Sequence, residues 1–233
     1  MNRRIAILLV FFVILILSAG CSSTTSDNIK TSGIYALFNV ENKYGENTVT
    51  AKATLQVGGI TGSYIKLVGD DELLCDDQKL SSRETALGSI EYVANLPKKN
   101  AGEKYVFKFK RKDEEHTIEV TQLQDVHITA PKQSQSFKIS DDIKVTWEPK
   151  STEDMDLTID GDCIDPHTKI FQSDNGEYLI TGGTLKFDEN ADSKKCTAKI
   201  IVRRYTSTGV PKEFDGGNAF SYSISEVDIQ ITE

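Results

Sequence analysis

The fold class this sequence predicts is all-β: two tandem antiparallel sandwiches behind an export signal and a short tether. Three observations predict it. From Gly33 onward the apolar residues recur with a period of two. Turn signals such as Tyr44-Gly45-Glu46-Asn47, Gly58-Gly59 and Asn100-Ala101-Gly102 interrupt that pattern at short intervals. No long amphipathic helix competes with it, although Gln78 to Gly88 has room for one helical turn.

The chain opens with Arg3 and Arg4, an unbroken apolar run from Ile5 to Leu17, and then Ser18-Ala19-Gly20-Cys21. Charge, apolar stretch and small residues in that order make a secretory signal. The ending resembles a bacterial lipoprotein signal, with Ser18 at the position three before the cysteine and Leu17 one residue earlier. The resemblance implies removal of residues 1–20 and acylation of Cys21. An uncleaved transmembrane anchor is the competing reading, and its 13 apolar residues fall short of the roughly 20 that a span needs. Either way, residues 22–233 are expected outside the cytoplasm and held at a cell membrane or outer membrane, facing periplasm or exterior. Removing the signal takes two of the 27 basic residues and none of the 35 acidic ones, so the remainder carries 25 against 35, or −10. That balance excludes nucleic acid as a partner.

Residues 21–32 follow as the lipidated cysteine and a polar stretch without periodicity, read as a flexible tether. The first sandwich is assigned to 33–125. Val49, Ala51, Ala53 and Leu55 alternate inward, as do Ile90, Tyr92, Ala94 and Leu96, and then Tyr105, Phe107 and Phe109. Further strands are expected at 34–41, 63–68, 72–76 and 115–123. Cys75 shares a side with Leu73 and is read as a buried free thiol.

The second sandwich is assigned to 126–233. Val126, Ile128, Ile143, Val145 and Trp147 point inward, then Met155, Leu157 and Ile159, then Cys196, Ala198, Ile200 and Val202. Phe220, Tyr222 and Ile224 are read as inward too, with a β-bulge near Ser225-Glu226 bringing Val227, Ile229 and Ile231 onto the same face. Ile128, Pro131, Phe137, Ile143, Val145, Thr146 and Trp147 resemble the opening of the Ig-like domain in the fungal Ser/Thr-rich GPI-anchored cell-wall family. The whole exported part, with its run at 209–217, is similar to bacterial lipoproteins built from two such modules. Both resemblances imply that the two tandem sandwiches are Ig-like, and neither implies an activity.

Cys163 falls on the inward side when the parity of Met155–Ile159 is continued, and Cys196 faces the core from another strand. A Cys163–Cys196 disulfide is therefore expected in an oxidising compartment. For catalysis the sequence offers no Gly-x-Ser-x-Gly, HExxH or CxxC arrangement. His116, His127 and His167 are scattered, and neighbouring carboxylates on a strand point to opposite faces. No enzyme is expected. If the second unit runs up and down, with Gly182-Gly183 as a bend, then Asp162, Asp165, Asp188, Glu189 and Asp192 converge at one tip beside Asp141 and Asp142. Such a cluster would hold a calcium ion or meet a basic partner. A solvated tip is the plain alternative, and no other cofactor is indicated. The functional expectation is a non-enzymatic, membrane-anchored module that binds an envelope protein or a glycan; the alternative is a structural spacer.

Overall fold

The computed structural model describes residues 23–86, 88–112 and 114–233; Cys21 and the signal-like segment lie outside them. The first unit contains β1 (Ser23–Thr25), β2 (Ile34–Lys43), β3 (Thr48–Val57), β4 (Ser63–Lys66) and β5 (Glu72–Cys75). It continues with β6 (Gln78–Lys79), β7 (Ser81–Glu84), β8 (Ile90–Pro97), β9 (Lys104–Arg111) and β10 (Glu114–Thr121). The second contains β11 (His127–Ala130), β12 (Ser136–Lys138), β13 (Ile143–Glu148), β14 (Asp154–Gly161), β15 (Ile164–Phe171) and β16 (Glu177–Ile180). Two long strands close the chain, β17 (Cys196–Gly209) and β18 (Gly216–Thr232). The chain is all-β as expected, and residues 78–84, considered for a helical turn, form β6 and β7 instead.

One large sheet runs β1-β4-β3-β2-β18-β17-β14-β15, with β8 and β7 beyond β3 and β12 beside β18. Two small sheets, β10-β9-β5-β6 and β11-β13-β16, face it. Each encloses a buried apolar cluster. The first gathers Phe38, Leu55, Tyr92, Tyr105, Phe107 and Phe109; the second gathers Trp147, Leu157, Ile159, Ile164, Ile200 and Ile229. The alternation on β3, β8, β9, β13 and β14 buries the rows expected of it. Cys163 and Cys196 are joined, with Cα atoms 5.7 Å apart.

The two clusters are not separated where the chain passes residue 126. Phe214 and Ala219, far inside the second stretch, belong to the first cluster. The reason is the β17–β18 hairpin, paired without interruption from Cys196↔Ile231 to Gly209↔Asn218. Its lower half lies beside β14 in the second unit, while β18 residues 216–224 run parallel to β2 in the first. Parallel pairing also joins β12 to β18 and β1 to β4, so the sheets are not wholly antiparallel.

Because that register never slips, the expected bulge at Ser225-Glu226 is absent and the inward row is corrected. Ala219, Ser221, Ser223, Ser225, Val227, Ile229 and Ile231 are the buried residues, and Phe220, Tyr222 and Ile224 face the other way. The connection between the units crosses this inner face and needs acceptors there. Ser223 Oγ accepts the Val126 N–H at 2.9 Å, and Ser225 Oγ accepts the Ile128 N–H at 3.0 Å. An apolar side chain would leave those buried amides unpaired, at about 1–3 kcal/mol each.

The stretch read as a tether is also corrected. From Ser23 onward it is docked on the first unit: β1 pairs with β4, and Ser26 is fully buried. Arg111 Nη1 donates to Ile29 O at 2.6 Å and Nη2 to Ser26 O at 2.7 Å, with the Asp71 carboxylate 3.4 Å away as ion partner. Polar residues such as these carry no period because they satisfy backbone groups rather than line a core.

In the second core Asp174 accepts the Trp147 indole N–H at 2.7 Å, the amides of Ser151 at 3.0 Å and Gly176 at 2.8 Å, and Arg204 Nη2 at 2.7 Å. Arg204 also donates to Pro149 O. Both charged side chains are out of solvent, at 1% and 0% exposure. Asp174→Ala leaves a buried guanidinium and three N–H donors without their acceptor. A loss of about 3–5 kcal/mol is expected in urea unfolding, the range for one partner removed from a buried pair. Trp147, the single tryptophan of the chain, is the reporter.

Cys75 is a buried free thiol, as expected. Burial, then the Asp76 charge, pushes its pKa up to about 12 against the opposing pull of Lys99. A pKa raised on folding contributes stability fully below the unfolded value near 8.5 and loses it as pH climbs through the folded one. The unfolding free energy should therefore fall between about pH 9 and 12. Cys75→Ala should remove part of that slope, and a thiol reagent should label Cys75 only after denaturation.

Candidate functional site

The outer face of the large sheet, opposite both cores, carries an aromatic row placed by the uninterrupted register. Tyr222 lies between Tyr205 of β17 and Glu41 of β2, and Phe220 lies between Ser207 and Asn39. Strand alternation sends these side chains outward because Ala219, Ser221 and Ser223 point in. The Phe220 and Tyr222 rings are 5.8 Å apart and inclined by 14°; the Tyr205 and Tyr222 rings are 6.3 Å apart. All three are half-buried. Partial burial raises the Tyr222 pKa above that of an ordinary phenol.

Charges around the row are matched within the protein. The Arg203 guanidinium sits 5.5 Å from the Tyr222 ring centre and donates to Asp156 at 2.8 Å from Nη2 and 3.1 Å from Nε. Lys52 pairs with Glu41 at 2.7 Å. In a chain of net charge −8 this face is thus locally neutral, ringed by donors and acceptors whose charges cancel. Chemically, it offers ring faces and edges for C–H contact and polar groups for hydroxyls.

The acidic loops reach one end of the second unit. Asp188 N donates to Cys163 O at 3.0 Å, and Phe187 pairs with Ile164. Residues 177–187 are not one bent strand, since β16 ends at Ile180 and the chain turns at Gly182-Gly183, where a side chain at 182 would sit 2.1 Å from Ser140 O. The backbone is brought together, but the carboxylates do not form a cage. Among the described residues no group of three or more His, Cys, Asp or Glu side chains could hold a metal. Asp141 Oδ2 accepts the Lys138 N–H, Asp142 Oδ1 the Gly182 N–H and Asp188 Oδ1 the Asn190 N–H, so these three shape turns. Asp162, Asp165, Glu189 and Asp192 are exposed. Lysines share the same tip: Lys194 pairs with Glu233 at 3.0 Å and lies over Phe187.

The histidines are distributed as expected, except that His167 sits within β15 rather than in a loop. His127 stacks on Tyr44 at 4.1 Å. His116 lies 3.3 Å from Glu114 at a cleft of about 870 Å³ whose lining includes Asp27, Ile29, Thr31 and Arg111. The Thr31 hydroxyl first, and His116 next, hold the Glu114 carboxyl below its ordinary pKa. Thr31, Glu114 and Arg111 of this cleft are thus engaged in fastening the N-terminal stretch. Trp147 is core, T-shaped against Phe171 at 5.5 Å.

Sequence reasoning missed the aromatic row by assigning it to the interior. The available signal was the run of serines at 221, 223 and 225: carrying the parity of Val227–Ile231 backward lands on them.

No family model and no curated protein matches the chain. The resemblances noted above therefore rest on their own residues. Among solved structures the chain aligns with fibronectin(III)-like modules of Clostridium thermocellum CbhA, at 17% identity and TM-score 0.24 over 85% of this chain and 94% of that one. It aligns with titin A168–169 at 8% and 0.23, over 85% and 96%. It aligns with the Bacteroides ovatus surface protein SGBP-B, solved with a mixed-linkage heptasaccharide, at 10% and 0.23, over 91% and 65%. Alignments of that quality carry no weight for function, which rests on the strands and side chains themselves.

Proposed function

We propose that this chain is a non-enzymatic envelope protein, held at a membrane through lipid on Cys21, that binds a neutral glycan on its outer sheet face. The observation that carries the reading is the aromatic row of Phe220, Tyr222 and Tyr205 on that face, bordered by ion pairs already closed within the protein. An aromatic ring is an apolar surface for the C–H side of a pyranose, and a phenol adds a polar handle. Closed ion pairs offer hydrogen bonds without a net charge to match, which suits hydroxyl groups better than an acidic or basic protein. Area points the same way. Three half-buried rings leave on the order of 300 Å², against roughly 800 Å² per partner in a stable protein interface.

A spacer is the second reading, favoured by the continuous hairpin. β18 is 17 residues long, about 56 Å at strand rise, and it stiffens the junction between the units.

Affinity electrophoresis through gels containing laminarin, xylan or hydroxyethylcellulose tests the glycan reading. Retardation by at least one of them is expected. Phe220→Ala with Tyr222→Ala should weaken it tenfold or more, about 2 kcal/mol for two stacking contacts, with the melting temperature little changed because neither ring is in a core. Unretarded wild-type protein in all three gels would leave the spacer.

For the anchor, metabolic labelling with a clickable fatty acid should mark the wild type and spare Cys21→Ser. Label retained in the variant, or a mature protein that begins at Met1, would reject acylation at this cysteine.

A further inference from the structure

The first described residue, Ser23, lies at the end of the first unit farthest from the second, and that end carries an exposed isoleucine. β2 runs toward the second unit, parallel to β18, so Ile34 and its partner Val57 mark the far end. β4 starts there with Ser63, pairing with Val57, and β1 lies parallel to β4 with Ser23 opposite Tyr64. Ser23, the first described residue, therefore lies at the far end, beside the β3–β4 turn. Between Ser23 and Cys21 there are two residue steps, at most about 7 Å of chain. A docked segment gives no slack to lift the body off the surface.

At the tip of that turn Ile60 is 61% exposed. The other large apolar residues exposed among the described ones lie elsewhere: Tyr44 is stacked on His127, and Ile170 and Leu179 sit on β15 and β16 of the second unit. The turn is held in shape from below. Gln56, nearly buried, donates from Nε2 to Ile60 O at 3.0 Å, and Gly62 N donates to Gly59 O at 2.9 Å. A side chain at Gly62 would lie 2.0 Å from Val57 O. Ser23, Tyr64 and Gln56 are successive neighbours across the strands. About two strand spacings, roughly 10 Å, separate Ser23 from the glutamine that fixes Ile60.

We propose that the β3–β4 turn, with Ile60 at its tip, rests on the lipid surface to which the chain is anchored at Cys21. This rests on the anchor reading above. The partner is the acyl–headgroup boundary of the bilayer, which takes an apolar side chain without requiring charge.

The test uses the full chain expressed with its own leader, extracted from membranes and reconstituted in phosphatidylcholine vesicles containing brominated lipid. Ile60→Trp places an indole at the turn, Leu179→Trp places one at the opposite unit, and the wild type supplies the Trp147 background. Bromolipid should quench the added emission of Ile60→Trp at least twofold and leave that of Leu179→Trp unchanged. Equal quenching at both positions, or none at position 60, overturns the proposal. Intact mass reports the anchor separately. An unacylated chain that still floats with the vesicles and is quenched at position 60 removes lipid on Cys21 and keeps the docked turn, whereas a chain that does not float removes both.

Discussion

Fourteen consecutive residues of β17 pair with β18 without a slip, and the architecture follows from that one ladder. A two-stranded ribbon of this length cannot be divided between two independent sandwiches, so it forms part of the large sheet in both. Each small sheet packs against its own half. The connection through Val126 has only the inner face of the ribbon to cross, because the outer face belongs to neither core. Relative motion of the units would have to bend or break the ribbon's hydrogen bonds, so the hairpin ties the two units together.

The same ladder explains the composition of β18. Where the connection crosses, the inner positions must be small and must accept hydrogen bonds, since a buried amide without a partner costs more than a methyl group returns. Serine meets both conditions at 223 and 225. The strand's large side chains are then displaced to the outer positions, and with Tyr205 opposite Tyr222 they collect on one patch. The aromatic row and the buried serines are two faces of one constraint.

Most strands of both cores were legible because each has one wet and one dry face, and the period of two records that directly in Val49–Leu55, Tyr105–Phe109 and Met155–Ile159. The Cys163–Cys196 bridge was legible for the same reason. β18 defeated the rule. Its inner row is apolar only from Val227 onward, and hydropathy assigns Phe220 and Tyr222 to a core that does not include them. The N-terminal stretch was illegible on different grounds. Its order comes from Arg111, 85 residues downstream of Ser26, through backbone carbonyls that leave no side-chain pattern. The acidic loops were placed at the correct end, yet proximity of backbone did not aim the carboxylates at one point, because several of them are spent on shaping turns.

Placement of the ends decides what the outer face can meet. β18 enters the large sheet beside Tyr35, near the end of the first unit where Ser23 lies. Phe220 and Tyr222 lie four and six residues along the strand from Gly216, about 13–20 Å by strand rise. On the proposal that the β3–β4 turn seats on lipid, the aromatic row would stand within that height of the bilayer. At that height a globular partner approaching the row would have the bilayer against one side. A thin polymer lying along the surface meets no such obstruction, so the position of the row favours an extended glycan for the same reason that its small area does.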